Sequence, residues 1–316
     1  MRTFFTMVAL LLCATVIEAQ QEAHYTQFMY NNILNNPGFA GSRRIPNLTA
    51  TYRNQWMGFQ GNPISYLLSL DMPINNDRLG TGIVLGNQSE GITQRQYGKL
   101  VFSYAAVKTQ KATLRIGMNM SIRQYRYDLQ DPDIYVEDKQ DASLQQETPK
   151  FINANVGVGV YFDTEKFYAG ISIPNLNKNA IAIGANPASN TIGREQRHVY
   201  FMAGGLIPMG SDNLIFKPSL MYKYVVNAPF SLDVNASVMI QKQFTVGASY
   251  RVGESGNTGD SIDFLGFVQA TDRLGFGFSY DHTLSALKNY SSGTIEALVR
   301  YDFGPTNGLK NPRFFF

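Results

Sequence analysis

The sequence contains few side chains of the kinds that catalyse reactions or bind metals. The histidines are His24, His198 and His282, and the single cysteine is Cys13. Asp281 and His282 are adjacent, so on a strand their side chains point to opposite faces and do not orient one another. No Gly-x-Ser-x-Gly elbow, His-Glu-x-x-His run or Cys/His metal spacing occurs. We therefore expect no enzymatic activity, no cofactor and no metal site.

One stretch is rich in carboxylates, which are the ligands that Ca²⁺ prefers. It runs from Asp128 to Asp141 and includes Asp131, Asp133 and Glu137. It lacks the ligand spacing and the glycine of an EF-hand loop. A solvated acidic loop is therefore the favoured interpretation, and Ca²⁺ binding is the alternative.

Most of the chain consists of segments in which apolar residues occupy every second position, the pattern of β-strands. Leu114–Arg123 and Phe230–Gln241 are 10 and 12 residues long, and Met239 is the single exception to their alternation. A tilted membrane-spanning strand needs about 9–11 residues, whereas the strands of soluble sandwiches average about 5–6. The opposite face carries glycine, serine, asparagine and arginine, as expected for a wet or plugged lumen.

About fourteen such strands are predicted by this pattern. They begin near Asn47, Tyr66, Leu79, Tyr97, Ala112, Phe151, Lys166, His198, Leu214, Phe230, Phe244, Ser261, Arg273 and Thr294. Short connections alternate with longer ones such as Gln88–Gln96 and Pro174–Arg197, and only Asn227–Pro229 breaks the rule. Short periplasmic turns and longer external loops are typical of outer-membrane barrels. The prediction is an all-β chain: a transmembrane antiparallel β-barrel over residues 47–316.

The composition agrees with a barrel and excludes two other classes of protein. A mean hydropathy of -0.18 is too polar for a bundle of transmembrane helices. It suits strands that expose only every second residue to lipid. The net charge is only +3, without a basic face, so nucleic acid is not an expected partner.

The first 19 residues have the pattern of a cleaved export signal. Arg2 is the positive residue, Phe4–Leu12 is the apolar core, and cleavage is predicted after Ala19. A retained anchor is excluded because an apolar helix needs about 20 residues to span a bilayer. Leu12 before Cys13 argues against lipoprotein processing, which requires a small residue there.

Residues 20–46 precede the first strand and lack clear alternation. Tyr25, Phe28, Tyr30 and Phe39 give the segment a high aromatic content. Two interpretations stay open: a plug or gate folded into the barrel, and a loosely ordered periplasmic tail. The aromatic content favours burial.

One block of the sequence, Tyr52–Pro63, reads YRNQWMGFQGNP and is the most specific in the chain. It resembles a block of one family of bacterial membrane proteins, the PorP/SprF family. Other similar stretches are Gln20–Asn31, Leu34–Ser42, Ser69–Pro73, Lys166–Leu176, Lys217–Ser219, Ala228–Asp233, Leu274–Asp281 and Tyr301–Phe303. The resemblance covers essentially the whole chain after the export signal.

The resemblance implies a non-enzymatic component of the type IX secretion system in the outer membrane of a Gram-negative, Bacteroidetes-type bacterium. In one branch of the family the barrel is a core secretion and gliding component linked to periplasmic machinery. In the other, each barrel supports the secretion or surface anchoring of one large secreted adhesin through the adhesin's C-terminal targeting domain. The second branch is favoured because it has more members. A passive outer-membrane channel for a small solute, suggested by the polar lumen face, is the alternative function.

Candidate site residues follow from these blocks. Their predicted role is to bind a partner or to form or hold the plug, and they are Arg53, Asn54, Gln55, Trp56, Asn35, Pro37, Pro174 and Asn175. For the block around Arg53 the favoured role is structural, with tryptophan at the membrane boundary and arginine paired to a lumen carboxylate. Arg115, Arg123, Arg251 and Arg300 either set an anion preference or, the favoured interpretation, pair with acids such as Asp233, Asp263, Glu296 and Asp302.

Overall fold

A computed structural model describes residues 24–128, 150–182, 191–210, 213–226, 228–253 and 259–304. The predicted export signal lies outside these residues, and so does the acidic stretch except Asp128. Among the described residues, no helix is long and apolar enough to span a membrane.

Fourteen antiparallel strands close into a barrel, which confirms the predicted fold. They are β1 (Asn47–Asn54), β2 (Ile64–Ile74), β3 (Leu79–Glu90), β4 (Thr93–Lys108), β5 (Ala112–Tyr127), β6 (Phe151–Thr164), β7 (Phe167–Ile173), β8 (His198–Gly205), β9 (Leu214–Val225), β10 (Ser231–Ile240), β11 (Phe244–Val252), β12 (Ser261–Gln269), β13 (Leu274–Thr283) and β14 (Thr294–Asp302). Each strand pairs with its neighbours in sequence. The barrel closes because β14 pairs with β1, with Asn47 opposite Asp302.

Shorter elements accompany the barrel. Ile207–Pro208 extends the sheet beside β9, and Ala180–Ala182 pairs with Thr191–Arg194 in a hairpin between β7 and β8. Short 3-10 turns cover Phe28–Tyr30, Asn32–Leu34, Pro37–Phe39 and Ala286–Asn289. We call the end with the longer connections the external end and the end where β1 begins and β14 finishes the periplasmic end.

The predicted external loop Gln88–Gln96 is wrong. β3 continues to Glu90 and β4 begins at Thr93, so only two residues connect them. Beyond Leu85 the outward positions become polar, and Asn87 lies opposite Gln96 in the ladder. The wall therefore extends past the apolar band, where outward residues no longer need to be apolar and the alternation disappears before the strand ends.

Side chains sort by face as the alternation predicts. The outward face is apolar, and Ile116, Met118 and Phe278 are among its exposed residues. The inward face is polar and buried. Met239, the exception in the predicted pattern, points inward and is buried in an apolar cluster inside the barrel. That cluster forms because the lumen contains residues of the chain itself.

Candidate functional site

The lumen is occupied by residues 24–46, which we call the lumen segment. Every residue from His24 to Ile33 is buried. The segment begins beside Arg53 and Glu296 near the external end and descends to Asn47 at the periplasmic end. The structure agrees with the first of the two interpretations of this region, because the segment folds into the barrel.

A cluster of buried charges holds the external end of the lumen segment; we call it the Arg53 cluster. Arg53 Nη1 lies 3.0 Å from Glu296 Oε2, and Arg53 Nη2 lies 2.9 Å from Asp281 Oδ2. The backbone amides of Thr26 and Gln27 donate to the two oxygens of Glu296 at 2.9 and 3.0 Å. The Thr26 hydroxyl also donates to Asp281 at 2.7 Å. Glu296 thus binds two successive backbone amides of the lumen segment, and the Arg53 guanidinium links Glu296 to Asp281.

Further charges surround this cluster. Arg251 Nε donates to Asp233 at 2.5 Å, and its terminal nitrogens lie 3.7 Å from Asp263 and 3.8 Å from Asp281. Burial, followed by the nearby cations Lys223 and Arg251, lowers the pKa of His24 well below its ordinary value.

The middle of the lumen segment packs by apolar contacts. Tyr30 stacks on Phe267 with ring centroids 4.5 Å apart, and Phe39 meets Tyr161 edge to face at 5.4 Å. A cavity of only about 10 Å³ separates the segment from β1 and β14, with Leu298 among its lining residues. One water molecule needs about that much space. The segment therefore packs closely against this part of the wall.

Wall glycines let the backbone of the segment approach the strands. A side chain at Gly117 would overlap the Pro37 carbonyl and the Gly38 amide. The Asn36 side chain accepts from the Gly38 amide at 2.8 Å and donates to the carbonyl of Val160 at 3.0 Å. The turn is thus fixed both internally and to β6.

A second set of polar contacts holds the periplasmic end of the segment. The Gly41 amide donates to Asp71 at 2.6 Å, and Arg43 pairs with Asp302 at 3.1 Å. Gly41 has a φ of +70°, and a side chain there would lie against the backbone of Gly80. Polar anchors at both ends and apolar packing between them hold the segment in place.

The external connection between β7 and β8, which we call loop 174–197, is described at residues 174–182 and 191–197, and these two parts fold inward. Pro174 and Asn175 are buried, and the Pro174 carbonyl accepts from Asn119 at 3.3 Å. Glu195 fastens the returning part of the loop: it accepts from Arg123 and from the Tyr125 hydroxyl, each at 2.9 Å. Asn155 and Asn179 donate to its other oxygen, each at 3.0 Å.

The structure separates the predicted site residues into three groups: those in the lumen, those in loop 174–197 and those between β1 and β2. Arg53 belongs to the Arg53 cluster, and the carbonyl of Asn35 accepts from Ser172 at 2.7 Å within the lumen, next to the turn containing Pro37. Pro174 and Asn175 belong to loop 174–197.

Asn54, Gln55 and Trp56 form the third group, at the start of the external connection between β1 and β2. Asn62 donates to the Asn54 side chain and to the Gln55 carbonyl. Trp56 is half-buried and donates its backbone amide to the Thr294 hydroxyl at 3.0 Å. The predicted residues therefore do not form one site.

The lumen arginines mostly pair as the favoured interpretation predicts. Arg251 pairs with Asp233, and Arg300 lies 3.5 Å from Asp302. Arg123 pairs with Glu195, which the sequence did not single out, and Arg115 donates to the Asp77 carbonyl at 2.7 Å. The alternation of inward and outward positions along each strand could have identified the acids that face the lumen. The role of Glu195 could not be found in this way, because it depends on the path of a loop.

The fold is similar to that of solved outer-membrane barrels at very low sequence identity. Omp33 of Acinetobacter baumannii is 5% identical, with a TM-score of 0.50, and the match covers 82% of this chain and 98% of that one. The toluene transporter TbuX of Ralstonia pickettii is 8% identical, with a TM-score of 0.51 and coverage of 85% and 92%. The monoaromatic hydrocarbon channel CymD is 12% identical, with a TM-score of 0.51 and coverage of 88% and 92%. At these identities the similarity shows the fold alone.

Comparisons of the sequence itself gave one match. No curated protein matches the chain. Residues 17–301 match the model of a family described as type IX secretion system membrane protein PorP/SprF.

Proposed function

Since the chain belongs to the PorP/SprF family of type IX secretion system membrane proteins, we propose that it acts as a non-enzymatic docking barrel. In this role it supports the secretion or surface anchoring of one large secreted adhesin, whose C-terminal domain it holds at the external end. Membership of the family and the barrel fold make it an outer-membrane protein of type IX secretion. The adhesin, its C-terminal domain and a role in gliding are the proposed part.

The observation that carries the proposal is the filling of the lumen by the chain itself. The lumen segment takes up the inward-facing groups of the Arg53 cluster and packs against the wall down to Asp302. Loop 174–197 covers the inner surface of β5 and β6 at the external end. A barrel filled in this way leaves its two rims as the surfaces on which a partner can bind, which suits a docking role.

The first experiment is a pull-down of the tagged protein from outer membranes in mild detergent, followed by mass spectrometry. Recovery of one large secreted protein, bound through its C-terminal domain, is the expected result. Recovery of periplasmic type IX components instead would assign the chain to the core machinery of secretion and gliding.

A deletion strain tests the role in cells. We expect the secreted protein to disappear from the surface, as measured by surface biotinylation, and to return with the wild-type gene. Glu195→Gln, which weakens the attachment of loop 174–197, should restore less surface protein than Glu165→Gln in an exposed periplasmic turn. Normal export and surface retention without the gene would refute the proposal.

The alternative function is a passive channel for a small solute, suggested by the polar inward face. Close packing of the lumen segment argues against it. Recordings from single molecules in planar bilayers should give no conductance above leak. A reproducible open conductance for the wild-type protein would instead favour the channel.

The proposal includes export across the inner membrane with cleavage after Ala19. N-terminal sequencing or intact mass of the purified outer-membrane protein tests it. A chain beginning at Gln20 is expected, and a retained leader would contradict the prediction.

A further inference from the structure

Arg95 is a buried cation that forms no ion pair with the residues that the structure describes. It lies near the external start of β4, points into the lumen, and is 8% exposed. Its Nε is fully buried and has no acceptor. Its guanidinium lies over the face of Tyr125, 5.7 Å from the ring centroid.

The other buried arginines among the described residues provide a comparison. Arg43, Arg53, Arg251 and Arg300 each form an ion pair with a carboxylate. Arg115 donates to two backbone carbonyls. Leaving a buried guanidinium without an anion is costly, because it loses hydration and gains nothing in return. Arg95 therefore differs from the four ion-paired arginines in having no carboxylate partner among the described residues. The unbonded Nε itself does not distinguish it, because most of the other buried arginines have one too.

The residues directly beside Arg95 in the strand ladder carry no negative charge. In the strand ladder it lies between Gln88 on β3 and Tyr125 on β5. Glu90, one step nearer the rim, is exposed and forms no ion pair with it in the described structure. Glu195 is already bound by Arg123 and by the Tyr125 hydroxyl. Among the described residues, Arg95 thus forms no ion pair at a position where the wall extends beyond the apolar band.

We propose that Arg95 and the ring of Tyr125 form a carboxylate-binding site at the external mouth of the barrel, and that its occupant is a carboxylate of the secreted partner. This inference rests on the proposed function. The two terminal nitrogens of a guanidinium match the two oxygens of a carboxylate and form paired, charge-assisted hydrogen bonds. The aromatic ring supports the cation from one face. An acidic side chain and a chain-terminal carboxylate both satisfy this chemistry.

Binding of short peptides to the full-length protein in detergent tests the site. Three probes carry the same neutral fluorophore: hexaglutamate amide, hexaglutamine with a free C-terminus, and hexaglutamine amide. Fluorescence anisotropy should detect the first or the second, which identifies the source of the carboxylate, and not the third. Arg95→Gln should weaken binding by roughly tenfold to a hundredfold, the usual effect of losing a hydrogen bond to a charged group. Arg95→Lys should fall between, since it keeps the charge without the paired geometry.

Arg78→Gln, an exposed arginine at the periplasmic end, is the matched control and should bind like the wild type. Heat-modifiable migration in gels verifies that each variant is folded. Equal binding by wild type and Arg95→Gln overturns the proposal, as does failure of both carboxylate probes to bind. Binding of inorganic phosphate alone, without either carboxylate probe, overturns it in favour of a phosphate site.

The same variant separates this proposal from the proposed function. If the deletion strain loses the surface protein and Arg95→Gln restores it fully, the docking function holds and the carboxylate site is wrong as its basis. If the deletion strain keeps the surface protein, the docking function fails whatever Arg95 does. Loss in both strains, together with normal folding of the variant, supports both.

Discussion

Replacing Arg53 by methionine tests whether the Arg53 cluster stabilises the barrel together with its lumen segment. The change removes three interactions of the guanidinium: with Glu296 at 3.0 Å, with Asp281 at 2.9 Å and with the Thr26 hydroxyl at 3.1 Å. Methionine keeps most of the apolar side chain. The carboxylates of Glu296 and Asp281 stay buried, so the main cost is that their negative charges lose the cation that balances them.

The expected magnitude follows from the burial of the groups. Arg53 is 2% exposed, and Glu296 is 0% exposed. Breaking a buried ion pair by removing one partner costs about 3–5 kcal/mol in free energy of unfolding. Arg251, 3.8 Å from Asp281, compensates part of that charge, so we expect a value near the lower limit.

The sequence supplies its own reporter for the measurement. Trp56 is the only tryptophan, and its backbone amide is bonded to the first residue of β14. Urea unfolding of the protein in lipid vesicles, followed by tryptophan fluorescence, gives the free energy of each variant. Arg78→Met, at an exposed position, should change it by no more than about 0.5 kcal/mol.

The double variant Arg53→Met, Glu296→Gln tests directly whether the two charges interact. Removing both charges should cost less than the sum of the single variants, by about 1–3 kcal/mol, since neither charge is left alone. A loss below about 1 kcal/mol for Arg53→Met, or strictly additive effects, would refute the view that the ion pair holds the segment.

Three further predictions use matched pairs or direct cleavage. Gly117→Ala should cost about 1–3 kcal/mol in urea unfolding because its Cβ meets the Pro37 carbonyl of the lumen segment, whereas lipid-facing Gly98→Ala should be neutral or stabilising; equal effects would contradict the contact. Phe267→Ala, which removes the stack on Tyr30, should cost about 3–5 kcal/mol, and outward Phe264→Ala clearly less; the reverse order would exclude this packing. Glu195→Gln should raise the rate of trypsin cleavage within loop 174–197 about tenfold by weakening the bond from Arg123; unchanged cleavage would show that other contacts hold the loop.

The alternation of the sequence was sufficient to predict the barrel because it reports one local property. A residue that faces lipid must be apolar, and its neighbour on the strand faces inward. The predicted strand starts agree with the structure to within four residues, the largest difference being Tyr97 against Thr93. This error has the same origin as the wrong loop Gln88–Gln96. Outside the apolar band the lipid no longer constrains the outward residue, so the pattern stops while the strand continues.

Contacts inside the barrel could not be predicted in the same way. Whether Glu296 meets Arg53 follows from strand pairing once the register is known, with the two residues directly opposite. That Glu296 binds the amides of Thr26 and Gln27 depends on the path of a segment without periodicity. Gly117 looked like an ordinary member of the polar face. Its function as a contact surface for Pro37 becomes evident only when the opposing backbone is in position.

The distribution of buried charge connects the fold to the proposed role. A solute or polypeptide that crossed the lumen would have to separate the amides of Thr26 and Gln27 from Glu296 at one end and Arg43 from Asp302 at the other. It would also have to displace the apolar middle of the segment. These interactions involve the chain's own residues and hold the lumen segment in place. Arg95 differs because it is buried at the external end and its charge is not neutralised by the described residues. Recognition of a secreted partner is therefore expected at the external rim, with the filled lumen acting as its rigid support.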